Sequence, residues 1–143
     1  MTPDDAGRAT VTCTSDVTWT RGDHGSPAMH PGRACISCHE ASDAPIWTVA
    51  GTVYPSLHEP NDCNGAHGSV EVVITDATGA TLTLPVNTAG NFFTSTSVTF
   101  PIHAKVVNGS VENAMTDAQT SGDCNSCHTQ GGTSSAPGRI TAP

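Results

Sequence analysis

Aromatic and basic side chains are both scarce: three Phe, two Trp and one Tyr make up 4% of the chain, and four arginines stand beside a single lysine, Lys105. With hydrophobic residues of every kind at 36%, the amino acids alone make a thin interior rich in turns. Thirteen acidic residues against five basic ones give a formal charge of -8. That excludes the basic stripe a nucleic-acid backbone requires. No stretch approaches the roughly eighteen consecutive apolar residues of a membrane span. The opening residues, "MTPDDAGRAT", carry acids where an export leader has its basic region, and no apolar stretch follows. The expectation is that any leader is absent from this sequence. A length of 143 residues is about one domain's worth of chain.

Against this background one pentapeptide is written twice, "CISCH" at 35–39 and "CNSCH" at 124–128. From six Cys and seven His in 143 positions, chance would produce roughly 0.01 such pentapeptides. C-x-x-C-H is the mark of covalent c-type haem attachment: two thiols add across the haem vinyl groups as thioethers, and the adjacent imidazole reaches the iron. A four-thiolate zinc site is the plainer alternative. Its cysteine pairs usually lie about 15 to 20 residues apart, whereas 85 residues, 39 to 123, separate Cys38 from Cys124. Zinc also has no need of the trailing histidines. A thioredoxin-like dithiol belongs on a βαβ pattern that is missing.

On Cys35, Cys38, His39 and Cys124, Cys127, His128 the chain resembles the bacterial multihaem c-type cytochromes. The resemblance implies two covalent haem c groups, with His39 and His128 as proximal iron ligands. It also implies export to a periplasm or to the cell surface. Haem attachment would consume four thiols and leave Cys13 and Cys63, an even remainder in an oxidising compartment, for which a disulfide is the expected pairing and two separate thiols the alternative.

Residues 46–110 have a different character. "WTVAGTVY", "SVEVVITDATG", "ATLTLPVNTAGNFF" and "SVTFPIHAKVVNGS" are rich in Val, Thr, Ile and Phe and are joined by turn residues, the pattern of strands. Alternation places Val70, Val72 and Ile74 on one face. It likewise groups Phe100, Ile102, Ala104 and Val106, with His103 and Lys105 opposite. "DATGAT" and "NTAGNF" read as tight turns. This stretch resembles the small β-sandwich of carboxypeptidase-regulatory or transthyretin-like domains, which implies a structural or binding module and no catalytic site. The expected fold is mainly β: a small antiparallel sandwich flanked by irregular, short-helix haem-binding segments, 1–45 with the first motif and 111–143 with the second. "NAMTDAQTSGD" is expected to enter the second motif through a short helix.

The sixth iron position decides between an electron carrier and a protein that binds a small molecule. His58, in a loop five residues before Cys63, is the leading distal candidate. His30 follows; five residues span at most about 18 Å, so it is better placed for the other haem than for its own. Met29 and Met115 are thioether alternatives. His24 and His67 lie on glycine-flanked polar turns and His103 on an exposed strand face. Two six-coordinate haems imply one-electron transfer to redox partners or between copies of the chain. Motifs at opposite ends of a rigid module would let haems sit near different surfaces and meet in a head-to-tail filament. The rival classes are a haem enzyme or gas sensor with one open iron position, and a surface adhesion module.

Overall fold

A computed structural model of the protein describes residues 13–22, 25–40, 47–66, 68–115, 117–133 and 136–143, the side chains of Ser37, Cys38 and Glu40 excepted. Val70, Val72 and Ile74 turn inward as their alternation requires, at 4%, 2% and 1% exposure, and the strand they lie on is central to a four-stranded antiparallel sheet. With strands numbered along the chain, this sheet has the order β3 (Thr81–Pro85), β2 (Val70–Thr75), β5 (His103–Asn108), β6 (Val111–Ala114). A three-stranded sheet has the order β4 (Asn91–Thr94), β1 (Val49–Tyr54), β7 (Ile140–Thr141), with β1 antiparallel to β4 and parallel to β7. The protein is therefore mainly β, with helix among the described residues confined to α1 (Cys35–Glu40) and a 3-10 turn at Cys124–Ser126.

The sheets share one apolar core. Val49, Val53 and Phe92 enter it from the first, and Val70, Val72, Ile74, Leu84 and Val106 from the second. All six residues of β1 are buried, because both faces of the strand are covered. Thr52 accepts the Gly32 N–H and Tyr54 donates its hydroxyl to the Cys63 carbonyl, so the segment leading to Cys35 and the disulfide loop close the side opposite the core. Cys13 and Cys63 are joined by that disulfide, with Cα atoms 5.4 Å apart. Together with Tyr54 they form a second, small cluster.

After Pro85 the turn at Asn87 to Gly90 carries the chain from one sheet to the other, so β3 and β4 belong to different layers. Two expectations are corrected. Phe100 is 37% exposed, because regular pairing of β5 begins only at His103, opposite Thr75. The short helix expected in 113–123 is absent among the described residues. Its backbone groups go to β5 and its lead-in instead: Met115 N–H to Ala104 O, and Gln119 in both directions with Ile102. Strand structure thus continues past residue 110, through β6 and β7. Among the described residues no helix is long and apolar enough to cross a membrane.

The disulfide closes a loop with a sequence separation of 50. Replacing Cys13 and Cys63 together by Ser is expected to lower the unfolding free energy by about 2 to 4 kcal/mol, read as a shift of the urea midpoint with little change in slope.

Candidate functional site

The second motif enters along the edge of β1. Ala50 N–H donates to Gly122 O at 2.9 Å, and Ala50 and Asp123 form a parallel bridge, so residues 122–123 take the part of that edge which β7 leaves open. The approach is close enough to exclude side chains: a Cβ on Gly51 would lie 3.0 Å from Cys124 Cβ and 2.7 Å from the Phe92 ring. Cys124 then starts the 3-10 turn, and His128 N–H returns to Cys124 O at 3.0 Å. In the first motif α1 carries Cys35 and His39 four residues apart, hence on one face of the helix.

The structure brings these two segments together. The Asp123 carboxylate accepts the Ile36 N–H at 3.2 Å in the first turn of α1. Asn125, inside the second motif and 2% exposed, donates to Arg33 O at 2.9 Å and to Thr52 Oγ1 at 3.0 Å, and accepts the Thr52 N–H at 3.1 Å. Thr52 Oγ1 in turn donates to Asn91 Oδ1 at 2.7 Å, and Asn91 Nδ2 reaches the carbonyls of Pro27 and Met29. One buried polar network therefore ties the approach to Cys35, the centre of β1, the start of β4 and the second motif. The motifs sit side by side, where their positions at opposite ends of the chain had pointed to separate surfaces.

Electrostatics differ between the two approaches. Arg33 donates through Nε and Nη2 to both oxygens of Asp62, whose Oδ1 also accepts from His30 Nδ1 at 3.0 Å. Burial alone would raise the Asp62 carboxyl, but the hydrogen bonds and charges of Arg33 and His30 outweigh it and hold it below its ordinary value. Burial, with Asp123 and Cys35 nearby, pushes the Cys124 thiol up to about 12. That group is a neutral thiol at physiological pH.

Tested against a thioether-linked haem, the residues fit. Cys124 and Cys127 are free thiols, so they are not spent on each other; the Cys38 side chain lies outside the described residues. His128 Nδ1 lies 2.9 Å from the Gly138 carbonyl. A carbonyl can only accept, so Nδ1 carries the proton and Nε2 presents its lone pair, as an iron ligand must. The His39 ring packs 6.1 Å from Trp47, which lies 4.5 Å from Phe93. Among the described residues no group of three or more His, Cys, Asp or Glu is arranged to hold a metal ion by itself.

The distal candidates are dispersed. His58 is exposed and fixed through Nδ1 to Gln130 O at 2.7 Å, beside the second motif and again with Nε2 as the lone-pair nitrogen. His30 is held by Asp62 and meets the Trp19 ring edge-on at 6.1 Å. Met29 is anchored by its carbonyl to Asn91, and Met115 follows β6 with its N–H on Ala104 O. His103 is exposed on β5, and His24 and His67 lie outside the described residues. Sequence reasoning missed Thr52, Asn91, Asp123, Asn125 and Arg139. Each acts through partners far away in the chain, and the one signal that could have found any of them is the position of Asn125 between two motif cysteines.

Asn125→Ala leaves the buried Thr52 N–H without its acceptor and removes a donor from the Arg33 carbonyl, and is expected to cost about 1 to 3 kcal/mol of stability, measured by urea unfolding. Asp62, with its folded value depressed, contributes stability that is present above its unfolded value of about 4 and is lost as pH falls through the folded one. Asp62→Asn is therefore expected to flatten the decline of thermal midpoint below pH 4 relative to the parent, while lowering the midpoint at pH 7.

No family model, curated protein or solved structure matches the chain.

Proposed function

We propose that this protein is a dihaem c-type cytochrome, similar to the bacterial multihaem cytochromes, that carries single electrons. The observation that carries the reading is the repeated C-x-x-C-H, both copies on short helical turns braced against β1, with the His128 imidazole held in the tautomer an iron ligand needs. Cys35 and Cys38 hold one haem and Cys124 and Cys127 the other, with His39 and His128 as proximal ligands. When bound, each haem iron supplies a one-electron couple. The chain's own part is to hold the imidazoles in place, exclude water and keep the two attachment segments at a fixed separation.

His58 is the preferred distal ligand at one iron, since the Gln130 carbonyl fixes its ring next to the second motif; His30 is the preferred ligand at the other. Met29, Met115 and His103 are the remaining candidates. The β-module, transthyretin-like in its strand signals, serves as scaffold. The disulfide fits an oxidising periplasmic or extracellular setting. The charge of -8 favours redox partners with a basic face and an association weakened by salt. Copies of the chain are the other class of redox partner in this reading.

Protein exported from a cytochrome-maturing host is expected to gain the mass of two haems per chain and to show low-spin spectra that carbon monoxide does not change. Replacing Cys35 and Cys38 by Ala removes one haem and keeps the other. Colourless protein with the bare peptide mass overturns the reading. A high-spin fraction that binds carbon monoxide replaces the carrier with an enzyme or sensor.

A further inference from the structure

Arg139 is the largest of the fully buried side chains, 2% exposed. Its guanidinium donates to four uncharged oxygens: Nε to Glu59 O at 2.7 Å, Nη1 to Gly32 O at 2.8 Å and His128 O at 3.3 Å, and Nη2 to Asn61 Oδ1 at 2.7 Å. Its central carbon lies 5.0 Å from the centre of the Tyr54 ring. Among the described residues no carboxylate forms an ion pair with it. A buried charge without a direct counter-ion opposes folding unless dipoles and hydrogen bonds replace its hydration, and here its partners among the described residues are carbonyl and carboxamide oxygens and a ring face.

We propose that Arg139 is a positioning residue for His128, and that its buried positive charge raises the reduction potential of the second haem above that of the first. This rests on the functional reading above. The placement is direct. Arg139 bonds the carbonyl of His128 while its chain neighbour Gly138 accepts the proton of the same imidazole. At the first motif the nearest bond from Arg139 is to Gly32, three residues before Cys35 and seven before His39. Ferric haem carries one more positive charge than ferrous haem, so a cation fixed in a low-dielectric interior penalises the ferric state next to it.

Among the described residues other charges also lie close to the motifs. Glu59 is buried nearby, but its carboxylate is taken by the Thr14 N–H and by the N–H and hydroxyl of Ser56, not by either motif. Asp123 precedes Cys124 and accepts the Ile36 N–H, so its negative charge lies against both motifs and partly offsets that of Arg139. Arg33 and Asp62 close on each other. With both haems bound, an electron that had reduced the first iron to ferrous would pass to the second, returning the first to ferric and leaving the second ferrous. The asymmetry gives the pair a direction.

The test is a spectroelectrochemical titration of the mature protein. Two one-electron transitions are expected, of which the upper disappears when Cys124 and Cys127 are both replaced by Ala. Arg139→Gln should move the upper transition to lower potential and leave the lower in place, whereas Arg139→Lys, which keeps the charge and loses the fork, should leave the upper near the parent value. Glu59→Gln, which removes the partly compensating charge, should move the upper transition upward and gives a second reading if Arg139→Gln does not mature. Potentials unmoved in Arg139→Gln and Glu59→Gln, equal shifts of both transitions, or loss of the lower transition with the second cysteine pair would overturn the proposal. A parent chain without haem fails earlier, at the mass measurement, and overturns the functional reading instead.

Discussion

The carboxamide of Asn125, bonded to both the N–H and the hydroxyl of Thr52 and to the carbonyl of Arg33, is the interaction on which the arrangement of the two motifs depends. It reads three groups at once, and no apolar side chain of similar size can do so. Buried polar networks are favourable only when every member is satisfied. Here Thr52 and Asn91 extend the network to Gly32, Pro27 and Met29, so the peptide entering the first motif is held by the second motif and by the middle of the three-stranded sheet.

The same constraint explains a chain so poor in aromatics. Its shared core consists mostly of Val, Ile and Leu between two small sheets, and the disulfide with Tyr54 forms a satellite cluster. The site region is instead organised by hydrogen bonds around Asn125 and Arg139. Directional contacts of this kind specify position more tightly than greasy packing does, and they fix the two pentapeptides relative to each other. Asp123 adds a carboxylate at the first turn of α1, so each motif contributes to the folding of the other.

The local features were legible in the sequence. The inward face of β2 follows from the alternation of Val70, Val72 and Ile74, the pairing of Cys13 with Cys63 from counting thiols, and the helical turns at Cys35 and Cys124 from the compact spacing of the pentapeptide. What depends on distant residues was not. β7 is two residues long and exists only because β1 offers it an edge. β6 is exposed throughout and lacks the alternation that would reveal it. The run 113–123 was read as helical, yet its polar backbone finds partners on Ala104 and Ile102. Nothing local in "PGRITAP" distinguishes Arg139 from a surface arginine, and its burial becomes visible only when residues 32, 59, 61, 128 and 139 are assembled.

That assembly has a kinetic side. The bonds from Ile36 to Asp123, from Asn125 to Arg33 and from Arg139 to Gly32 span 87, 92 and 107 residues, among the longest closures a chain of this length permits. Such contacts form only after the entropy of bringing remote segments together has been overcome, which slows acquisition of the native state. The hairpins of the four-stranded sheet, whose partners are neighbours in sequence, lie at the other extreme. The region that holds the two pentapeptides is accordingly expected to consolidate after those hairpins, with both cysteine pairs on open polypeptide until it does.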